Sequence, residues 1–540
     1  MEPGRGPSAT ARVSQLTAAV LLLTPFVVFL RHHAYSLGEP EALALSAALA
    51  AAGAGAATLV RRSPTLTAVL VAGLAALFID VQFDLEVPIP GLGETGLLVA
   101  LTAALALVIR AMGGAALTLV LVMTSVVLLS TFLLAAGRLQ QAEGSDQAGG
   151  DARLPLLLHL ILDEHIGVEG LRTEGTGQVG PQIRAFLDAN RFLVYGGAYA
   201  EFAETVESIG HVLDLAPGRH EHDLLESSPG FAARLTRSRY FEWLSKQGYA
   251  IHVSQADHLD MCHSTTPVAS CDTYASTRLG VLEPVELPAS QKAQVIAGAY
   301  LSRSDIWNEL RERYHWLRGL LPTGLGLPEW AWERTRVSPI ATSAALDRLA
   351  ERLRRARPGQ AIVAHLLLPH YPYVYDAECR IRPPDDWLDR NDPLLPDANN
   401  TPGGRALRYE RYGEQVRCTQ RRVQELLDAI PAGVGEQAIV ILQGDHGSRI
   451  SLVGRRSRAQ QQLIPTDYMD AYSTLFAIRA PGLGPRYDQR QASAACLLEA
   501  LVESRFQPPA AACEAPPAIQ WQTADGTYVS RALPAFGEAP

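Results

Sequence analysis

Five apolar runs occupy the N-terminal quarter of the chain, and their length limits what this part can fold into. A helix that crosses about 30 Å of hydrocarbon needs roughly 20 mostly apolar residues. The third and fourth runs are slightly short, but buried soluble helices would not repeat so closely without polar faces. We therefore predict an N-terminal transmembrane domain of five helices, residues 14–137. The predicted spans are 14–30, 41–60, 64–79, 95–109 and 115–136.

Arginine side chains indicate the orientation of these spans, because cytoplasmic loops carry an excess of positive charge. Arginines precede the first span, follow the second and follow the fourth, whereas the loop after the third span is acidic. The N-terminus is therefore predicted to be cytoplasmic, and an odd number of spans places everything after residue 136 outside. A cleavable signal peptide is the alternative for the first span, but Arg31, His32 and His33 follow it without a small-residue cleavage site. We expect a multi-pass protein of the inner (plasma) membrane with an extracytoplasmic, periplasmic C-terminal domain.

The cysteines agree with an extracytoplasmic C-terminal part. All of them follow residue 137, and their even number suits disulfide bonds in an oxidising compartment. The closely spaced cysteines are plausible partners, although the sequence alone allows 15 pairings of six cysteines. The pairs favoured by spacing are Cys262 with Cys271 and Cys496 with Cys513, which leaves Cys379 with Cys418.

The charge balance argues against a nucleic-acid partner. The chain has 47 basic and 56 acidic residues, a net charge of −9. Proteins that bind a phosphate backbone present clustered Lys and Arg, and no basic tract occurs here.

A polar linker over residues 138–152 leads into a region, 153–540, in which strand and helix patterns alternate. Short apolar runs that end in polar residues predict buried strands of an α/β sheet, and they lie at 154–162, 361–370 and 438–447. Helical patterns lie between them, at 181–190, 240–247, 344–355 and 408–430. This alternation predicts one doubly wound α/β domain, whose ligands bind outside the carboxyl ends of the strands.

Residues that can bind a metal follow two of these strands. GDHG at 444–447 places Asp445 and His446 side by side at a strand end, and Asp163 and Glu164 end another strand. Carboxylate oxygens and one imidazole suit a divalent cation such as manganese, zinc or magnesium, with an open position for a reactant. The alternative is a simple turn in which Asp445 caps a helix and His446 is merely exposed.

Five short motifs give the chain a resemblance to a known group of enzymes. They occur in the order LILDE (160–164), ETVESIGHVL (204–213), HLLLPHYPY (365–373), GDHG (444–447) and STLFAIRAPG (473–482). With five spans before them, they resemble the alkaline phosphatase and sulfatase superfamily. The resemblance is to its membrane-anchored transferases, which include lipoteichoic acid synthase, periplasmic glucan phosphoglycerol transferases and lipid A phosphoethanolamine transferases. It implies an alkaline phosphatase-like (sulfatase-like) fold for the extracytoplasmic domain.

The resemblance also implies roles for individual residues. Thr205 would be the nucleophile, and His370 would contact the transferred group or protonate the leaving oxygen. The metal would be held by Asp163 or Glu164 together with Thr205, Asp445 and His446. Thr205 also suits this role physically, because a hydroxyl at a helix N-terminus lies in a positive field that favours an anion.

Other assignments remain open for residues near these motifs. Thr205 is also a good helix cap, and Ser208 is a neighbouring candidate for the nucleophile. We interpret His365, inside an apolar strand, as a core histidine. His211, His252, His258 and His263 have no assigned role.

Together these features predict a metal-dependent transferase that moves phosphoglycerol or phosphoethanolamine from a phospholipid head group to an envelope glycan or lipid. One alternative is a sulfatase-like hydrolase of a phosphodiester or sulfate ester, although the CxPxR and SxPxR patterns of most sulfatases are absent. A second alternative is a non-catalytic envelope protein that senses lipid on the same fold. The ETxR pattern of phosphoethanolamine transferases is missing after the first strand, which disfavours ethanolamine as the transferred group.

Overall fold

The computed structural model describes most of the chain and divides it into two compact units. The first unit is Met1–Leu139 with Arg278–Arg336, and the second is Gln140–Thr277 with Val337–Pro540. The described residues are 9–83, 94–133, 137–145, 148–172, 176–218, 224–320, 335–389, 402–452, 463–507, 516–523 and 527–536.

The helices are numbered in chain order. They are α1 (Ala9–His32), α2 (Pro40–Val60), α3 (Pro64–Phe83), α4 (Glu94–Met112), α5 (Gly114–Leu133), α6 (Val179–Ala189), α7 (Thr205–Leu213), α8 (Arg239–Gln247), α9 (Ala289–Leu301), α10 (Asp305–Leu320), α11 (Ser338–Leu353), α12 (Pro402–Ala429), α13 (Ala432–Gly435), α14 (Pro465–Tyr472) and α15 (Ala494–Glu503).

The strands are numbered in the same way. They are β1 (Gln140–Gly144), β2 (Leu157–Leu162), β3 (Leu193–Tyr199), β4 (Leu225–Ser228), β5 (Phe231–Leu235), β6 (Ala250–Ala256), β7 (Leu259–Asp260), β8 (Ser270–Tyr274), β9 (Gln360–Leu366), β10 (Ile439–Gly444), β11 (Phe476–Arg479), β12 (Arg486–Ser493), β13 (Ala518–Gln522) and β14 (Tyr528–Ala532).

Apolar helices α1 to α5 form the main part of the first unit, as the sequence predicts. Three helical segments among the described residues are long and apolar enough to cross a membrane: Thr10–His32, Pro40–Val60 and Gly114–Leu133. Pro64–Asp80 and Gly96–Met112 are apolar but shorter. Large apolar side chains such as those of α5 remain exposed, which suits a lipid environment. The prediction of apolar N-terminal helices is confirmed, with three candidate spans rather than five.

Close helix contact in the first unit depends on a small residue. A Cβ atom added at Gly53 of α2 would lie 2.4 Å from the carbonyl oxygen of Ala18 in α1. Small residues at such positions let the backbones of membrane helices approach closely.

The first unit contains a second segment, Arg278–Arg336, which the sequence pattern assigns to the domain at 153–540. Tyr300 of α9 packs against the rings of Phe26 and Phe29 of α1, and the Gly280 amide donates to the carbonyl of His33 at 3.0 Å. The predicted domain at 153–540 therefore differs from the second unit, because it includes this segment. Periodicity shows which face of a helix is apolar, but it does not show which part of the chain packs against that face.

A large mixed sheet forms the centre of the second unit. Within the described residues it has nine strands in the order β1-β8-β6-β9-β2-β10-β11-β3-β12. The five strands from β8 to β10 run parallel, whereas β11 is antiparallel to both of its neighbours. Every residue of β2, β9 and β10 is buried, so both faces of the central sheet are covered. The predicted α/β class is confirmed.

Strand β1 lies inside the segment 138–152, for which the sequence predicts a linker. Its residues pair antiparallel with β8 at one edge of the sheet. The prediction of a linker is wrong for Gln140–Gly144, because QQAEG forms an edge strand although it lacks the apolar alternation typical of one; besides its backbone pairing, the Gln140 side chain donates to Asp272 of β8 at 2.7 Å.

Two of the three predicted disulfide bonds are present: Cys262–Cys271, which spacing favours, and Cys379–Cys418, the pair that remains. Cys513, the predicted partner of Cys496, lies outside the described residues.

Candidate active site

Three neighbouring parallel strands deliver the polar residues to one edge of the central sheet. β2 lies between β9 and β10, with Leu162 paired to Leu366 on one side and to Gly444 on the other. Because these strands are parallel, their carboxyl ends meet at the same edge. Asp163 therefore lies beside the residues that follow β10.

Asp163, His365 and Asp445 form a buried cluster at this edge. One potential ligand atom from each lies within 4.8 Å of those of the other two. Asp163 Oδ1 and Asp445 Oδ2 have no hydrogen-bond partner among the described residues. Buried carboxylate oxygens without partners are costly, and a divalent cation satisfies them. The donor set therefore fits a metal ion.

The two carboxyl groups influence each other strongly. Burial and the negative charge of Asp163 raise the pKa of the Asp445 carboxyl well above its ordinary value. Burial opposes ionisation of Asp163, but the neighbouring His370 and His365 lower the pKa of its carboxyl overall. Without a cation, two carboxyl groups this close cannot both be ionised at low cost.

His365 belongs to this cluster, although the sequence pattern favours an ordinary core histidine. Its ring is fully buried, and its Nε2 lies 3.3 Å from Asp163 Oδ2. It occupies the position of β9 that pairs with Ile161 of β2. A histidine one residue before the end of a strand can lie near the polar residues at the sheet edge. The apolar residues around His365 in the sequence instead suggest an ordinary core position.

The side chains of Asp445 and His446 are oriented by hydrogen bonds to the backbone. Asp445 Oδ1 accepts from the amides of Glu164 and His446, at 2.8 and 2.7 Å. His446 Nδ1 lies 2.8 Å from the Gly447 carbonyl oxygen, so we assign the proton to Nδ1 and a lone pair to Nε2. Nε2 faces Asp445 Oδ2 at 3.2 Å and Thr205 Oγ1 at 3.1 Å. His446 is buried rather than exposed.

Gly447 is required by the close approach of two backbones. A Cβ atom at this position would lie 1.9 Å from the carbonyl oxygen of Asp470. The turn after β10 therefore tolerates no side chain here.

Thr205 is the first residue of α7, and its hydroxyl points toward the strand ends. The N-cap of the helix is Glu204, which has an extended backbone and makes no side-chain cap hydrogen bond. Thr205 is buried, and its hydroxyl lies within hydrogen-bond distance of His446. The neighbouring candidate Ser208 donates to the carbonyl of Asp445 at 2.6 Å and so holds the turn after β10.

Glu164 does not join the cluster that contains Asp163. Its carboxylate accepts from Arg449 Nη2 at 2.8 Å, and its backbone is in the left-handed region with a φ of 62°. Consecutive residues after a strand point in different directions, and only Asp163 is directed at Asp445. Of the two acidic candidates, the structure thus brings Asp163 to the cluster and places Glu164 against Arg449.

A pocket of about 630 Å³ opens beside Thr205. It contains His370, which is predicted to contact the transferred group, and His258, which has no role predicted from sequence. Burial lowers the pKa of the His258 ring. The lining residues are Glu204, Thr205, Val206, Glu207, Leu225, Glu226, Ser227, Ala232, Ala233, His258, His370, Tyr371, Arg449 and Tyr528.

The loop that carries His370 is held by Gln415 of α12. The Gln415 side-chain amide donates to the carbonyls of Pro369, His370 and Pro372, at 3.2, 2.8 and 3.2 Å. Its oxygen accepts from the amide of Val374 at 2.8 Å. No sequence motif pointed to Gln415, whose partners are backbone atoms.

Comparisons with known proteins gave matches only among solved structures. No family model and no curated protein matches the chain. The C-terminal periplasmic domain of EcEptC from Escherichia coli, in complex with Zn, is 13% identical with a TM-score of 0.41, over 75% of this chain and 98% of that one. The phosphonate monoester hydrolase of Agrobacterium radiobacter is 14% identical with a TM-score of 0.41, over 69% and 82%.

A protein in the alkaline phosphatase superfamily from Vibrio parahaemolyticus is also similar. It is 14% identical with a TM-score of 0.36, over 73% of this chain and 78% of that one. A member of the superfamily that the sequence motifs resemble is thus among the similar structures. At these identities and TM-scores the likeness carries no argument about activity, which has to be argued from the site.

Proposed function

We propose that the protein is a membrane-anchored, metal-dependent enzyme of the alkaline phosphatase and sulfatase superfamily with Thr205 as its nucleophile. It transfers a phosphoalkyl group, phosphoglycerol or phosphoethanolamine, from a phospholipid to an envelope glycan or lipid. The observation that carries the proposal is the position of the Thr205 hydroxyl. It lies 3.1 Å from His446 Nε2, beside the buried Asp163–Asp445 cluster and on the wall of an open pocket.

The residues that would hold the metal are Asp163, Asp445, His446 and Thr205, and His365 offers a further nitrogen in the same cluster. Manganese, zinc and magnesium all suit this set of oxygen and imidazole ligands. When bound, a divalent cation neutralises the carboxylates and lowers the pKa of a hydroxyl beside it.

The chain's own residues then carry the reaction. Thr205 Oγ1 releases its proton to solvent in the pocket and attacks the phosphorus of the donor, and the bond from phosphorus to the lipid oxygen breaks, which leaves a phosphodiester on Thr205. The N-terminus of α7 stabilises the negative charge of the phosphoryl group. His370 lines the same pocket with its side chain 18% exposed, and in its protonated form it would donate a proton to the lipid alkoxide. In the second step His370, now neutral, takes the proton of an acceptor hydroxyl, whose oxygen attacks the phosphorus. The bond from phosphorus to Thr205 Oγ1 breaks, and Thr205 regains a proton from solvent.

The membrane anchor supports a lipid donor. The N-terminal helices include three candidate spans, and tethering an enzyme to the bilayer raises the effective concentration of lipid head groups around it. The sulfatase-like hydrolase shares the first step and differs only in using water as the acceptor, whereas a lipid sensor would make no covalent intermediate.

Mass spectrometry of the full-length protein tests the proposal. Protein in vesicles of phosphatidylglycerol or phosphatidylethanolamine is digested, and the peptide containing Thr205 is examined for a phosphoalkyl adduct. We expect the adduct in the wild type and its absence in Thr205→Val, which keeps the shape of the side chain. Ser208→Ala is the matched control and should still form the adduct. Turnover that survives in Thr205→Val would refute the assignment.

A further inference from the structure

Arg449 is a buried cation at the wall of the pocket, three residues after His446. Its side chain is 6% exposed, and its guanidinium contacts two carboxylates. Nη2 donates to Glu164 Oε1 at 2.8 Å, and Nη1 donates to Glu204 Oε2 at 2.6 Å. Its Nε has no hydrogen-bond partner among the described residues although it is buried. At the pocket, the guanidinium contacts Glu204, which lines the same pocket.

The two carboxylates that contact Arg449 are held very differently. Glu164 is fully buried and cannot leave without exposing an unpaired charge. Glu204 is 62% exposed, and Arg449 is its ion-pair partner in the described part of the chain. An exposed carboxylate at one end of an ion pair is readily exchanged for another anion.

Glu204 also occupies the place at which a substrate anion would arrive. It immediately precedes Thr205, and both residues line the pocket with Arg449. Burial would lower the pKa of the Arg449 guanidinium, but Glu204 and Glu164 raise it above its ordinary value. Arg449 thus stays charged, with the Glu164 carboxylate on Nη2 and the Glu204 carboxylate on Nη1.

We propose that Arg449 binds the phosphate group of the substrate and that Glu204 is an internal placeholder for this phosphate. On binding, the Glu204 carboxylate moves from Nη1 into the solvent at the pocket, and a phosphate oxygen takes its place. The exchange replaces one anionic oxygen at Arg449 with another, and it breaks and forms only charge-assisted hydrogen bonds. The proposal rests on the proposed function, since it identifies the residue that recognises the anion in the same site.

Glu207 offers a matched control for Glu204. It lies in the first turn of α7, for which Glu204 is the N-cap, and lines the same pocket, and the ion-pair partners of Arg449 among the described residues are Glu164 and Glu204. Glu204→Gln and Glu207→Gln each remove one negative charge from the pocket. Any difference between the two variants therefore reports the contact with Arg449 rather than the general field of the pocket.

Calorimetric binding of inorganic phosphate to the full-length, metal-loaded protein tests the exchange. We expect Glu204→Gln to tighten phosphate binding by about fivefold to tenfold, as expected when one competing charge-assisted hydrogen bond is removed. Glu207→Gln should change it by less than about twofold, the effect of a charge that is screened and not in contact. Arg449→Gln should weaken binding, and Arg449→Lys, which keeps the charge beside Glu164, should weaken it less.

Equal phosphate affinities of Glu204→Gln and Glu207→Gln, or weaker phosphate binding by Glu204→Gln than by the wild type, would refute the role of Glu204 as a placeholder. The absence of binding in the wild type and in both glutamine variants would overturn it too. If Arg449→Gln does not fold, Arg449→Lys decides whether the guanidinium matters. A failure here is distinct from a failure of the proposed function, which is measured by the covalent adduct on Thr205.

Discussion

The buried Asp163–Asp445 cluster makes a prediction in which one substitution has opposite effects with and without metal. The ligand oxygens of the two carboxyl groups lie within 4.8 Å of each other. At that separation and an effective dielectric constant of about 20, two full charges repel by about 3.5 kcal/mol. The metal-free protein can instead keep Asp445 protonated, which at pH 7 costs about 1.4 kcal/mol for each of roughly three pH units, about 4 kcal/mol. Both routes give a similar penalty.

Asp445→Asn removes this penalty, because an amide has no charge to repel Asp163. In EDTA the variant should therefore be more stable than the wild type by about 3 kcal/mol, somewhat less than the repulsion because the buried amide also loses its hydration. In the presence of the metal the order reverses, since the variant has lost a charged ligand and gains less stability from binding.

The pH dependence follows from the raised pKa of Asp445. A carboxyl group with a raised pKa in the folded state stabilises the protein below its unfolded pKa, and this stability is lost as the pH rises through the folded value. The metal-free wild type should lose stability as the pH rises from about 4 toward neutrality, the range above the ordinary pKa of Asp. Asp445→Asn should lack this loss.

Unfolding followed by tryptophan fluorescence, with EDTA or with added metal, measures these differences. Asp488→Asn is the control, because Asp488 pairs with Arg490 at 2.6 Å and takes no part in the cluster. It should respond equally in both conditions. A wild type that is equally stable with and without metal, or an Asp445→Asn variant that loses the same stability in both, would refute the metal site.

Two further substitutions test the loop that carries His370. His370→Gln should slow transfer from a phospholipid by about 10²-fold to 10³-fold. It should slow transfer from a 4-nitrophenyl phosphodiester much less, because that leaving group needs no proton. The exposed His263→Gln is the control, and an equal loss of rate for both donors would contradict the role of His370. Gln415→Leu removes the side-chain amide that donates to the carbonyls of Pro369 and Pro372 and should destabilise the protein by about 1–3 kcal/mol. It should also raise the KM for the phospholipid. Unchanged stability and KM would show that other contacts hold the loop.

The sequence predicts the parts of the site that follow strand ends. The α/β pattern predicts that Asp163, Asp445 and His446 lie at one edge of the sheet, whereas the pairing of β2 with β10, which brings Asp163 beside Asp445, is seen only in the structure. Thr205 required the motif at 204–213 as well, because a helix N-terminus has no fixed position relative to a sheet edge in sequence.

The residues that the sequence does not predict act through contacts between distant segments. Glu164 and Asp163 are equivalent in the sequence, and only the backbone turn at Glu164 directs one to the cluster and the other to Arg449. Gln415 binds backbone carbonyls of another segment and so has no motif. The assignment of Arg278–Arg336 to the first unit depends on packing, which periodicity does not reveal.

Anomalous diffraction from crystals of the protein loaded with manganese or zinc tests the central claim most directly, because it locates a bound metal without reference to activity. We predict one strong peak at the carboxyl ends of β2 and β10, within bonding distance of Asp163, Asp445 and His446 and adjacent to Thr205 Oγ1. A metal bound elsewhere, or a Thr205 hydroxyl that faces away from it, would contradict the account.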